Sequence, residues 1–349
     1  MKTLLFFNNK GGVGKTSLVY HLAWRYQEFG LNVIAADLDP QSNLTSAFLP
    51  EEQLEELWTT TAPSCPTILG ALQPLLDHLG DLAVPRVVEL TERLALLAGD
   101  LGLSAFEDRV AGAWNACLDD NQPTAHDGFR VMTAFHRVME RAALQREADL
   151  VLLDVGPNLG AINRAALVAA DHVVIPVGAD LFSLQGLRNL GPTLSNWREG
   201  WKKRLQGDKP SGLSLPAGEM RPVGYIVMQP VMRGDTPVKA YQRWAERIPS
   251  TYARFVLGRP LEGDGSSDDH ELATLKHYRS LMPLAQAARK PMFFLKPYDG
   301  AIGGHMQAVA DCLSDFTTLA LTIAEVCELE IPSRYPHRIE LSPSLDLTA

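Results

Sequence analysis

Cysteine is scarce in this sequence. The 349 residues include four, Cys65, Cys117, Cys312 and Cys327, and none forms a CxxC pair. A zinc ribbon, an iron–sulfur site and a disulfide framework therefore have no basis, and buried reduced thiols are expected. Long hydrophobic runs are missing as well. The N-terminal apolar run, Leu4 to Phe7, is far shorter than the 7–15 residues of a signal-peptide core. No stretch reaches the roughly 18 apolar residues of a membrane span, and the longest candidate, Ala166 to Phe182, is broken by Asp171, His172 and Asp180. Glycine and proline, 27 and 23 residues, are too few for a low-complexity or collagen-like chain. Positive charge is in deficit, with a net charge of −9, which argues against uniform nucleic-acid binding.

What is present is an ordinary globular composition, 46% hydrophobic and 21% charged. Its charge is unevenly placed. Residues 186–260 hold 13 Lys and Arg against 5 Asp and Glu, whereas residues 50–130 hold 4 Arg against 14 Asp and Glu. A local anion-binding face on an acidic body, or a solvated surface of ordinary scatter, would each give that pattern.

Apolar runs alternate with helix-like segments. Strands are expected at Thr3 to Asn8, Val33 to Ala36, Leu94 to Leu97, Asp149 to Asp154, His172 to Val177, Val223 to Met228 and Met292 to Leu295. Helices are expected from Thr16 to Phe29, stopped by Gly30, and over Ala161 to Ala170, Gly186 to Trp201, Pro237 to Arg247 and His305 to Cys327. This order predicts an α/β fold, a doubly wound and mostly parallel sheet with helices on both faces. Residues 50–145 interrupt the alternation and read as an acidic helical insertion, in which Trp58 and Trp114 are expected in the core. Residues 260–270 read as an acidic loop, and the tail at 331–349 as extended.

Residues 9–17 run Asn9-Lys10-Gly11-Gly12-Val13-Gly14-Lys15-Thr16-Ser17. This is the P-loop pattern GxxxxGK[ST] with Asn9 in place of the first glycine. Backbone N–H groups of Gly11, Gly12, Val13 and Gly14 can turn inward around phosphate oxygens, helped by the N-terminus of the following helix. In such a loop Lys15 bridges the β- and γ-phosphates of a nucleotide and Thr16 holds Mg²⁺.

Lys10, directly before Gly11-Gly12, makes the loop resemble the deviant P-loop of the ParA/MinD family of ATPases, the ParA branch most closely. The resemblance continues at Asp37-Leu38-Asp39-Pro40-Gln41-Ser42-Asn43, similar to the family's DxDPQxN motif, and at Asp154-Val155-Gly156-Pro157, similar to its third motif. Ile175 to Leu187 and Leu284 to Pro291 with Phe294 resemble later segments, so that the likeness covers roughly residues 1–48 and 90–328. It implies a single P-loop ATPase domain over residues 1–330, with ATP and Mg²⁺ as cofactors. It implies that Lys10 reaches across a homodimer to the partner's nucleotide, that Asp39 helps position water and Mg²⁺, and that Asp154 holds Mg²⁺ through water and senses the γ-phosphate through Gly156. Ser17 completes the phosphate loop, and Met228, Gln229 and Pro230 fall where the family contacts adenine. The implied function is a nucleotide-dependent dimerisation switch. Its ATP dimer would bind DNA without sequence preference, and a ParB-like or other partner would stimulate hydrolysis to position a plasmid, chromosome or other cargo. The protein would be cytoplasmic and nucleoid-associated. Candidate DNA contacts are Arg188, Lys202, Lys203, Arg204, Arg243 and Arg247.

Alternatives on the same scaffold are a metabolic or maturation ATPase and a MinD-like membrane ATPase. The two prolines of the C-terminal segment, Pro336 and Pro343, argue against a membrane-lying helix. The sequence departs from the family pattern in three ways. It has Gly156-Pro157 where Pro-Pro is frequent, its acidic segment at 50–90 is longer, and no helix-turn-helix precedes residue 1, so sequence-specific operator binding is not expected.

Overall fold

In the computed structural model, which describes residues 1–59, 65–228, 232–233, 236–237, 239–259, 270–278 and 280–332, the apolar runs pair into one sheet. Its strands are β1 (Lys2–Phe6), β2 (Val33–Asp37), β3 (Val88–Glu89), β4 (Leu94–Leu97), β5 (Leu150–Asp154), β6 (His172–Gly178) and β7 (Arg221–Met228), with β10 (Glu271–Leu275) at one edge. The spatial order is β10-β7-β6-β1-β5-β2-β4-β3, and β8 (Met232–Arg233) and β9 (Thr236–Pro237) form a separate two-stranded ribbon. All pairings in the large sheet are parallel except β3 with β4. The central strands β2 and β5 are buried at every residue, which is why their sequences are apolar without alternation.

Successive side chains of each strand serve two cores. Leu4, Phe6, Val33, Ala35 and Leu152 pack against α1 (Lys15–Glu28), α2 (Asn43–Phe48), α3 (Glu51–Thr59), α12 (Met282–Ala288) and α13 (Gly304–Val326). Leu5, Phe7, Ile34, Ala36 and Leu153 face the opposite layer. That layer comprises α4 (Ile68–Leu76), α5 (Phe106–Ala116), α6 (Gln122–Met132), α7 (Ala134–Arg146), α8 (Ala161–Ala169), α9 (Leu181–Leu205), α10 (Lys239–Ala245) and α11 (Ile248–Thr251). The segment expected to be helical at 50–145 supplies α3 to α7, divided between the two layers, together with β3 and β4. Among the described residues no helix is long and apolar enough to cross a membrane. All four cysteines are buried free thiols.

Two element assignments change. Met292 to Leu295 is not a strand: Met292–Phe294 is a 3-10 turn between Pro291 and Pro297, and its aromatic side chains go into the core beside α13. The remaining parallel strand is β10, whose Glu-Leu-Ala-Thr-Leu lacks an apolar run because it alternates polar and apolar at a sheet edge. Helix α9 also begins five residues before the expected Gly186, because Asp180 caps it by accepting from the Ser183 N–H at 2.9 Å. Gly191 of α9 is a site of close approach. A Cβ there would lie 1.8 Å from the Phe255 carbonyl oxygen, so the turn Tyr252–Val256 can lie flat on the helix only with glycine at that position. The acidic loop at 260–269 and the tail from residue 333 lie outside the described residues. Trp58 and Trp114 are half-buried and pack against the two cores, as expected.

His21 ties α1 to the 3-10 turn. Its Nδ1–H donates to the Ser17 carbonyl at 2.7 Å, its Nε2 accepts from the Met292 N–H at 3.1 Å, and its ring stacks on Phe316. A second ring proton would face the Met292 N–H, and burial pushes the imidazole down to about 4. The unfolded chain then takes up this proton first, near its ordinary value of about 6.5. The stability that His21 contributes is fully present above that pH and is lost as pH falls toward 4. Denaturant titrations at pH 7, 5.5 and 4 should show the natural chain losing about 3 kcal/mol more than His21→Gln across that window. Equal losses in the two proteins would contradict the assignment.

Candidate phosphate-binding site

The loop after β1 is fastened before it turns. The Phe7 N–H donates to the Val174 carbonyl at 3.0 Å, and the buried Asn8 donates from Nδ2 to the Pro176 carbonyl at 2.7 Å. Asn8 Oδ1 accepts the Lys10 N–H at 2.9 Å. Gly12 and Gly14 have φ of 72° and 84°, a left-handed backbone that disfavours side chains. Gly14 is the N-cap of α1, and neither a capping side chain nor a first-turn carboxylate takes up the helix's leading N–H groups. Those donors and the helix dipole point at a place for an anion.

Beneath the loop the strands bring carboxylates together. Parallel pairing sets Asp37 of β2 beside Asp154 of β5. Asp154 is fully buried, and burial first, then repulsion from Asp37, pushes its carboxyl up to about 8. The Thr16 hydroxyl donates to its Oδ2 at 2.7 Å, while Oδ1 has no hydrogen-bond partner. Asp37 is pushed up to about 6 by burial and is held by the Thr45 N–H at 2.8 Å and the Thr45 hydroxyl at 2.7 Å. Asp39, almost buried, accepts the Gln41 N–H at 3.0 Å. Lys15 is buried too. Its Nζ donates to the Asn8 carbonyl at 3.3 Å, and loss of hydration lowers its pKa against the pull of Asp154 and Asp39.

The donor set fits Mg²⁺ bound to a nucleotide's phosphates: a hydroxyl, an orphaned buried carboxylate oxygen, a second acid close by and a ring of N–H groups. Thr16, Asp154 and Asp39 are the residues that would hold the cation. A cavity of about 720 Å³ runs from Gly11 through Ser17 past Met228 toward Tyr278, and Met228 lies on its wall. Gln229 and Pro230 lie outside the described residues. Gly156 closes the cluster. A Cβ on it would come within 3.2 Å of Asp39 Oδ1, so the glycine that departs from the family pattern leaves the acid room.

Lys10 does not touch this cluster. Its Nζ sits 2.6 Å from Asp180 Oδ2 at the start of α9, with both side chains about one-third exposed. Sequence reasoning assigned no role to Asp37, Asn8 or Asp180. Asp37 stood inside a quoted motif, whereas Asp180 is joined to the loop only by the fold.

A family model described as an AAA domain matches residues 1–207, more than half of the chain. The chain belongs to the ParA/MinD family of P-loop ATPases. Its relatives include IncC of Escherichia coli, 32% identical over 57% of this chain and 47% of IncC. Another is the chromosome-partitioning ATPase Soj of Thermus thermophilus, 31% identical over 59% of this chain and 66% of Soj. The cell division protein PomZ of Myxococcus xanthus is 30% identical over 56% of this chain and 52% of PomZ. The chain thus spans about half to two-thirds of the length of these relatives. Among solved structures, protein DIP2308 of Corynebacterium diphtheriae has the same fold at TM-score 0.66 and 21% identity, over 93% of this chain and 98% of that one. The Cyanothece McdA complex with ATP follows at 0.60 and 17%, over 95% and 97%.

Within this ParA/MinD frame the basic segment divides. Arg188, Arg243 and Arg247 are exposed, as are Lys202 and Lys203. Arg204 is not: its guanidinium lies 3.6 Å from the Trp114 ring centroid, and Nε donates to the Trp114 carbonyl at 2.6 Å. It is 4% exposed and is withdrawn as a DNA contact. Arg198 is likewise committed to the carbonyls of Glu219 and Met220. Exposed Arg254, not singled out in the sequence, joins Arg188 against Phe255, and Arg243 and Arg247 flank Trp244.

Because burial and the neighbouring Asp37 push the Asp154 carboxyl well above its usual range, Asp154→Asn should leave the unfolding temperature of the nucleotide-free chain unchanged or raised. The same variant should lose the Mg²⁺-dependent part of its stabilisation by ATP. Differential scanning calorimetry with and without Mg·ATP checks both. A large drop in the nucleotide-free chain would contradict the electrostatic reading.

Proposed function

We propose that this ATPase is a nucleotide-dependent dimerisation switch, closed by Mg·ATP, whose dimer binds DNA without sequence preference. Hydrolysis, slow alone and stimulated by a ParB-like or other partner, would release it and so position a plasmid, chromosome or other cargo. The relatives whose names speak of chromosome partitioning and cell division support that reading. The observation that carries it is Lys10, a partly exposed lysine beside the phosphate loop that pairs with Asp180 at the start of α9 and does not line the phosphate-loop cavity. A cation so placed can serve a phosphate on a second copy of the chain, as an arginine finger does in trans.

The bound nucleotide supplies the transferable phosphoryl group, and Mg²⁺ offsets its charge. The residues do the rest. Among the described residues Lys15 has one long hydrogen bond, to a carbonyl, to give up before serving phosphate oxygens. The Thr16 hydroxyl, turned to Asp154, is free to turn toward a cation. Lys10 must leave Asp180, and a partly exposed pair of this kind contributes under about 1 kcal/mol, so an unscreened phosphate on the partner outcompetes it. Gly156 and Asn163, joined by a 2.8 Å hydrogen bond from Asn163 Nδ2, link the acid cluster to the buried helix α8.

Four exposed arginines, Arg188, Arg243, Arg247 and Arg254, form the candidate DNA face. Lys202 and Lys203 lie about 20 Å farther along α9 and are a secondary patch. We place the protein in the cytoplasm, on the nucleoid.

Lys10→Ala should retain ATP binding but lose ATP-dependent dimers and turnover. Sedimentation velocity with Mg·ATP reads the first and phosphate release the second. Normal dimers in this variant would overturn the proposed role of Lys10.

A further inference from the structure

A second cavity, of about 530 Å³, lies away from the phosphate loop, between the helical insertion and the loop that follows α9. Its walls come from α4, α5 and α6 and from Pro210–Leu213, five residues past the end of α9, a helix about 37 Å long that starts at the Lys10 partner Asp180. Four arginines crowd there against two carboxylates. Asp127 is taken by Arg109 at 2.8 Å. Asp81 is taken by the buried Arg137 at 2.6 Å and by Arg141 at 3.4 Å. Arg137 also donates at 2.7 Å to the backbone carbonyl of Arg130, which fixes that turn of α6 at the cavity. The acids lining the cavity are thus already paired, and positive charge is left over at exposed Arg130.

We propose that this cavity binds a small phosphate-bearing anion. Arg130 supplies the charge, and its guanidinium together with the N–H groups of Arg109 not used on Asp127 supplies fork-shaped donors suited to phosphate oxygens. Arg109 Nη2 lies 3.4 Å from His78 Nδ1, which places the proton of a neutral His78 ring on Nε2, as one more donor. Ser211 and Gly212 also line the cavity, and Gly212, at φ 77°, is turned in the left-handed manner that lets successive N–H groups converge on an anion. The size is right for a ligand up to that of a mononucleotide. The surroundings select against anything larger. Residues 50–130 carry 14 acids against 4 arginines, and that field repels an extended polyanion such as DNA while a short-range pocket still holds a small one. The site is independent of the nucleotide switch, so either can fail alone.

Calorimetric titration with inorganic pyrophosphate, free of Mg²⁺ and at constant ionic strength, tests it. The natural chain should show two sites, the phosphate loop and this cavity. Lys15→Ala should keep one, and adding Arg130→Gln or Arg109→Gln to it should weaken that one about tenfold. In an otherwise natural chain Arg130→Glu should leave only the phosphate-loop site. Loss of all binding in Lys15→Ala, or unchanged affinity in both arginine variants, would overturn the proposal.

Discussion

Everything at the nucleotide edge depends on three acids kept close together out of water. Asp37 and Asp154 are neighbours by the register of β2 and β5, and Asp39 follows at the end of β2. Burial and mutual repulsion raise two of them, to about 6 and about 8. Such a cluster costs stability in an empty site and gains it when a cation arrives. Directly above stands a loop whose N–H groups and helix terminus want the opposite sign. Neither half is satisfied by the protein alone. Together they fit one thing well, an anion that brings its own divalent cation.

The same arrangement explains why the surrounding residues have slack. Thr16 spends its hydroxyl on Asp154 but can rotate it, Lys15 makes one long hydrogen bond among the described residues, and Lys10 rests on a carboxylate about one-third exposed. Each of these partners can be exchanged for one that a ligand supplies. A switch needs alternatives that differ by a few kcal/mol, and strong intramolecular pairs would remove them. The scaffold around the site is the opposite. Asn8 is bonded into β6, Thr45 holds Asp37 twice, and the central strands β2 and β5 are buried throughout.

Much of this was legible in the sequence because the strands that matter are uninterrupted apolar runs and the loop has a fixed spacing. Leu150 to Asp154 and His172 to Val177 could hardly be anything but central strands. Local reading failed where the deciding contact is distant. Met292 to Phe294 is as apolar as a strand, but flanking prolines and the core beside α13 claim it, while the half-polar β10 is recruited by β7. Arg204 looked like part of a basic run with Lys202 and Lys203. Helical spacing from Leu190, Leu194 and Trp201 puts it on the buried stripe, a signal that was available. Asp180 was invisible as a partner of Lys10, since 170 residues separate them.

The most direct test of the proposed switch is binding to random-sequence duplex DNA with Mg·ATP, with Mg·ADP and without nucleotide, across a salt series. Four exposed arginines per protomer, doubled in a dimer, give a slope of log affinity against log salt of about −7. The account requires binding that appears with ATP alone and falls with salt at about that steepness. Binding that ignores the nucleotide, or none in any state, would contradict it.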